Sequence, residues 1–357
     1  MKQPDLRRFY PAAAVIGVAL AVAFLARPKP EQLSRYEKTV AAMGTFVTVS
    51  AWAGSEGRAE KAIEDALAEG ARLEKLLSHF DPASDVSRIN DAPAGTPVNV
   101  SPETIEVLEL SRDISRRTAG AFDVTVGPLV TLWKEAGKSG VMPSREKIAA
   151  ARSVVSYEGV LVDRAARMVS LAHEGMTLNL SAIAKGYIAG REAAVLKSDG
   201  ISSGFVNAGG DIAFLGANPD GSPWRAGIAD PRDDRKTMDT LLVNDKAVVT
   251  SGNYEQYSVI EGKRFSHIID PRTGMPLEGS APPASVTTIA GDPAVADAWA
   301  TALEVLGRSG GGAAADAGVD FLMVFIDDGN TTLFESAGME RYRRRMGQGA
   351  ARGERDL

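Results

Sequence analysis

Between residues 204 and 290 the sequence is a succession of short apolar runs cut by Gly, Pro, Asp and Asn turns, the signature of consecutive short strands. This run constrains the fold more than any other feature. Helical patterns flank it without alternating with strands in strict βαβ order. Ser55 to Leu77 reads as a long amphipathic helix, with Ala62, Ala66, Leu67, Leu73, Leu76 and Leu77 on one face. Ser101-Pro102 and Asp292-Pro293 each open a further helix, an N-cap residue followed by proline. Met43 to Trp52 alternates like a strand, residues 157–172 resemble a hairpin, and "MTLNL" reads as a strand running into a helix capped by Ser181. In "GAFDVTVGPL" the Gly-Pro pair predicts a turn, and "FLMVFIDDGNTTLFE" a closing hairpin. The order predicts an α+β fold with mixed, largely antiparallel sheets and packed helices. At 357 residues, the chain can bury a large core.

The ends differ from the body. Residues 1–30 have a basic start, an apolar run from Pro11 to Ala26 and a basic flank, the layout of an export signal or a short membrane anchor. Ala21-Val22-Ala23 offers a cleavage site, and Arg7-Arg8 a weak twin-arginine signal. Residues 1–36 carry six Lys/Arg against two Asp/Glu, and residues 341–357 the same, which leaves −14 of the net −6 on residues 37–340. An acidic body argues against nucleic acid as the partner, and any phosphate ligand needs a metal, basic groups or backbone N–H groups. The Arg/Gly-rich tail, residues 341–357, lacks apolar periodicity and reads as disordered. There is no cysteine, which excludes disulfides, thiolate metal sites and a Cys nucleophile.

Several stretches hold residue types suited to chemistry. Asp297 and Thr301 are four apart on a helix, so their oxygens share a face and can serve a hard cation such as Mg²⁺; the same spacing is common on solvated helices. Lys185 falls in the first turn of the helix after "LNLS", where a cation and free N–H groups favour a phosphate, although "AKGY" also suits ordinary packing through Gly186. Gly209-Gly210 ends a strand, either at a hairpin turn or beside a ligand. Ser251-Gly252-Asn253 suits a loop near a ligand. His267, one of three histidines, sits in "RFSHIIDPRTGMP" at the end of an apolar run, as a strand-end ring or a proton acceptor. HExxH, P-loop and zinc spacings are missing from the sequence, which argues against zincins and ordinary NTPases.

"MGTFVTV", "LSHFDPASDVSRIN", "GAFDVTVGPLVTLW", "LNLSAIAKGYIAG", "VNAGGDI", "PWRAGIADP", "TSGNYE", "SHIIDPRTGMP" and "DAWATALEVLG" occur in the order found in the ApbE family. Over roughly residues 40–340 the chain resembles these flavin transferases. The resemblance implies a single catalytic domain, residues 38–340, with a T-fold-like core. It implies Mg²⁺-dependent transfer of the FMN half of FAD to a Ser or Thr hydroxyl of another protein, with release of AMP. Asp297, Thr301 and the Ala182 carbonyl would hold Mg²⁺. FAD would lie across Met43, Phe80, Ala121, Phe122, Asp123, Lys185 and the segment from His267 to Ile269, with His267 as catalytic base. Asp270 is assigned to capping its turn, and Arg272 to solvated turn charge. Many family members have Tyr where Phe80 stands, so one hydroxyl contact is lost while ring stacking remains. "RTAGAFD" lacks the last hydroxyl residue of the family's Ser/Thr-Gly-Ala-Ser/Thr acceptor pattern, so another protein is the expected target. Expected acceptors are exported flavoproteins of quinone-reductase, Rnf or nitrous-oxide-respiration systems, met in the periplasm. FAD hydrolysis to FMN and AMP, or flavin carriage without chemistry, are the competing readings.

Overall fold

The structure is a computed structural model, and it describes residues 32–252, 257–279 and 281–343. The export or anchor segment at residues 1–30 lies outside the described residues, as does most of the basic tail. Among the described residues no helix is long and apolar enough to cross a membrane.

Eight strands form the central sheet: β1 (Ser34–Ala42), β2 (Thr45–Ala53), β3 (Gly204–Ala208), β4 (Asp211–Leu215), β5 (Ala247–Gly252), β6 (Ser285–Ala290), β7 (Asp320–Asp327) and β8 (Asn330–Glu335). Their spatial order is their chain order, and every neighbouring pair is antiparallel. The fold class expected from the sequence is the one observed. β1 is a strand the alternation at Met43–Trp52 does not reveal, because its residues are mostly exposed. Asp328 and Gly329 take left-handed φ values of 46° and 80° between β7 and β8, as a two-residue hairpin requires.

Five helices matter for the site: α1 (Glu56–Leu77), α2 (Pro102–Arg117), α3 (Gly127–Ser139), α4 (Ala184–Ser198) and α5 (Pro293–Leu306). Alternation along the strands divides the sheet into two faces. On one, Val47, Val49, Val206, Ala213 and Leu215 meet α1 and α4 through Ala62, Ile63, Ala66, Ala189 and Leu196, while Val249 and Val286 meet α5 through Trp299 and Leu303. On the other, Phe214, Val248, Ile289 and Leu322 are covered by a hairpin, Trp224–Asp230 with Asp233–Val243.

Two insertions approach each other beside this sheet. The one between β2 and β3 carries α1 to α4. The one between β5 and β6 carries a hairpin, Tyr257–Ile260 with Lys263–Ser266, and the short pair Ile269–Asp270 with Met275–Pro276. Leu129, Trp133 and Ala136 of α3 bury against Ile260, Phe265 and Ile269 of the second insertion. The Trp133 indole N–H donates to the Gly274 carbonyl at 2.8 Å, which fixes the turn after His267 to α3.

Four local expectations are corrected. Gly127-Pro128 opens α3 instead of ending in a turn, since proline in a first turn lacks only an N–H that would be orphaned anyway. "MTLNL" forms no strand; Thr177 makes one isolated parallel bridge to Val126. Ser181 is not the cap of α4, whose N-cap position is Ile183 with no side-chain cap of its own. The folded chain continues into the tail: Tyr342 is buried and donates to Asp320, and Arg343 pairs with Asp239 and Glu335.

Candidate active site

The N-terminus of α4 lacks a local cap, and α5 supplies one. Asp297 Oδ2 accepts the Gly186 N–H at 2.9 Å. The helices meet this closely because Gly186 has no Cβ; one placed there would collide with the Pro293 carbonyl oxygen and with Asp297. The neighbouring Lys185 points to β4, where its ammonium pairs with Asp211 Oδ2 at 2.5 Å. Asp211 and Asp297 are 2% and 4% exposed, so two acids and one cation share a desolvated corner. Burial and the nearby Asp211 push the Asp297 carboxyl up to about 7, against the pull of Lys185 and of the Gly186 N–H. Burial likewise raises Asp211, against the pull of Lys185. Thr301 lies one turn along α5, and the Ala182 segment precedes α4.

The sequence reading passed over Asp211. Its signal is positional: Asp211, Ala213 and Leu215 share a strand face, and the latter two belong to the core, so an acid stands in an apolar register.

The opposite wall comes from residues 79–80 and 121–134 of the first insertion and from the second insertion. Asp123 accepts the Thr125 N–H and hydroxyl through Oδ1 and the Tyr157 N–H through Oδ2, all at 2.7–2.8 Å. Its side chain therefore ties the Ala121–Asp123 loop to the Tyr157 segment, and its burial raises the carboxyl's pKa. Phe80 is 74% exposed, an uncommon state for a phenylalanine, with the His79 ring 3.8 Å from it centroid to centroid. Burial and the charge of Lys134 hold His79 below the usual histidine range. His267 follows Ser266, whose hydroxyl accepts the Ile268 N–H at 3.1 Å. Asp270 Oδ1 accepts the Arg272 N–H, and its carboxylate grips the Arg272 guanidinium, so Asp270 caps the turn as expected.

Phe80, Ala121, Phe122, Asp123, Ala182, Lys185, His267, Ile269, Asp297 and Thr301 all line one cavity of about 540 Å³, together with Asp211 and His79. Met43 does not line it. Met43 sits at the β1–β2 turn in a left-handed conformation, φ 53°, with its N–H donated to Glu74 and its side chain packed on the core. The volume is within the range of small-molecule sites, and the lining carries carboxylate and hydroxyl oxygens as well as aromatic rings. Such a site can hold a hard cation with a phosphate ester and stack a planar ring system.

A profile of the ApbE family matches residues 43–323. Among curated proteins, the FAD:protein FMN transferase of Escherichia coli K12 is 33% identical over 289 residues, covering 79% of this chain and 82% of the relative. A Vibrio cholerae protein of the same name is 36% identical over 270 residues, covering 74% and 80%. Among solved structures, the ApbE protein of Thermotoga maritima superposes with a TM-score of 0.77 at 34% identity, over 87% of this chain and all of the other. The Pseudomonas stutzeri flavinyl transferase ApbE, in its apo form, gives 0.77 at 29% identity, over 89% and 99%. The α+β sheet with its cavity of acids, hydroxyls and rings thus defines a flavin-transferase class of protein. The chain belongs to the ApbE family.

Proposed function

We propose that this protein is an FAD:protein FMN transferase that moves the FMN half of FAD to a Ser or Thr hydroxyl of an acceptor protein, with Mg²⁺ as cofactor. The observation that carries the reading is the placement of His267 on one wall of a single cavity and of Asp297, Thr301 and Lys185 on the other. The donor set fits Mg²⁺: all oxygen, with a carboxylate whose pKa is raised by burial and, secondarily, by the nearby Asp211. Asp297, Thr301 and the Ala182 carbonyl would hold it, and bound Mg²⁺ supplies charge neutralisation at the pyrophosphate.

The remaining chemistry belongs to the chain. The hydroxyl oxygen bonds to the FMN phosphorus, the bond from that phosphorus to the bridging oxygen breaks, and AMP departs with that oxygen. His267 takes the hydroxyl proton as general base. Lys185, held by Asp211, presents its ammonium to the anionic oxygens, and Asp211 keeps it oriented. Phe80 and the Ala121–Asp123 loop stack and border the planar rings. The apolar run at residues 11–26 supports action outside the cytoplasm, on electron-transfer flavoproteins of the quinone-reductase, Rnf or nitrous-oxide-respiration kind.

The test is intact-mass analysis of an acceptor domain bearing Ser-Gly-Ala-Thr, incubated with enzyme, FAD and Mg²⁺. The acceptor is expected to gain FMN less one water. Asp297→Ala abolishes the gain, and His267→Ala slows it by about 10²-fold or more. FMN and AMP released with no gain on any acceptor would make the protein a hydrolase; binding without turnover would make it a carrier.

A further inference from the structure

The flavin cavity has a neighbour. A second, open depression of about 280 Å³ is lined by Tyr257, Arg264, Ser266, Leu277, Glu278 and Pro282, among others. Tyr257 and Ser266 line both spaces. The wall between them is the hairpin Tyr257–Ile260 with Lys263–Ser266, and its two faces differ in an informative way. Ile260 and Phe265 point inward and bury against α3. Tyr257 and Val259 are each 51% exposed on the outward face, where the Arg264 guanidinium lies 3.7 Å from the centre of the Tyr257 ring. Val259 is opposite Arg264 in the register, and Tyr257 opposite Ser266. An exposed aromatic, an exposed aliphatic and an arginine stacked on the ring form the kind of patch enriched at protein interfaces.

We infer that this depression is the docking groove for the acceptor polypeptide, which lies extended across the outward face of the hairpin with its hydroxyl residue at Ser266. The inference rests on the transferase reading above. Three observations converge on that occupant. The groove adjoins the flavin cavity across Tyr257 and Ser266, as a site for the second substrate must. At about 280 Å³ and open to solvent, it is smaller than usual small-molecule sites and suits a few residues of an extended chain. Ser266 lines both spaces, and His267, which lines the flavin cavity, is the next residue. Arg264 and Glu278, of opposite sign, give the groove a polarity that can set the direction of the bound segment.

The experiment measures flavinylation rates of a soluble carrier protein bearing Ser-Gly-Ala-Thr against its concentration, with FAD and Mg²⁺ saturating. Arg264→Glu and Glu278→Lys, both at exposed positions outside the flavin cavity, are compared with the unaltered enzyme, and FAD binding is followed by fluorescence to show that each variant is folded. The expected result is a rise in KM for the carrier of about tenfold in at least one variant, with kcat within twofold and FAD binding unchanged. Unaltered KM in both variants, with full transfer by the unaltered enzyme, overturns the groove while leaving the transferase reading in place. Transfer by no enzyme form to any acceptor removes the transferase reading itself, and the groove assignment with it.

Discussion

Asp297 is held by two demands that move its proton in opposite directions. The Gly186 N–H and the start of α4 favour the anion, while burial beside Asp211 favours the acid. The outcome, a carboxyl at about 7, lies far above its ordinary value of 3.8. Between those two values the native state holds the proton more tightly than the unfolded chain does. The contribution of Asp297 to stability therefore declines as pH rises from about 4 to about 7. A cation replacing that proton should reverse the loss. Calorimetric titration of Mg²⁺ at pH 6 in buffers of different ionisation heat should show proton release, and affinity should climb with pH until about 7 and then level. Binding with no proton release would mean that Asp297 is already ionised without metal. The pairing of Asp297 with Thr301 was legible because four residues on a helix make one face. Asp211 was not, because its meaning depends on Lys185, which the fold brings to it from α4. His79 was hidden for the same reason: Phe80 and Lys134 give it its surroundings.

At the scale of elements, two helix contacts decide how the site is held. α4 meets α5 at Gly186, where sequence alone allowed either packing or phosphate binding, and the structure puts the glycine to packing. Gly186→Ala should separate the helices, with a loss of about 1–3 kcal/mol in urea denaturation and weaker Mg²⁺ binding, since Asp297 loses its position. On its other side α4 meets α1, where Glu192 is 2% exposed and its Oε2 has no hydrogen-bond partner among the described residues. Burial, and secondarily Glu74, push Glu192 up to about 8. Its ordinary value is 4.5, so its contribution to stability is lost as pH rises from about 4.5 to about 8. Glu192→Gln should leave stability nearly unchanged at pH 5 and raise it by about 1–4 kcal/mol at pH 9. Equal stability of the two proteins at pH 9 would show that the carboxyl finds water when it ionises. Nothing in the spacing of "GREAAVL" distinguishes Glu192 from a solvated helix glutamate, because its burial is created by Gly70 of α1, which leaves room for it.

For the whole molecule, the site is a junction: α4, α5 and β4 give one wall, and residues 79–80 and 121–134 with the second insertion give the other. Ligands that bridge the walls should stabilise the molecule as one unit. FAD with Mg²⁺ at 100 times their dissociation constants should add about 2.7 kcal/mol, seen as a rise of several degrees in Tm. FAD without metal should give less, and an unchanged Tm with both would mean that the cavity does not take FAD. The antiparallel class of the sheet could be read from the closely spaced strands between residues 204 and 290. The position of β1 and β2 in it could not, because no local pattern pairs a strand with a partner that lies beyond six helices.

That arrangement has a consequence for how the protein is made. Val47 of β2 pairs with Ala208 of β3, so the contact closes a loop of roughly 160 residues. During synthesis, which proceeds from the N-terminus, the hairpin β1–β2 emerges first and its inner edge waits for β3. Until then an unpaired strand edge, "TFVTVSAWA", is open to any other chain nearby. The interval in which this protein is most exposed to aggregation is thus set by the length of the very insertion that carries half of its active site.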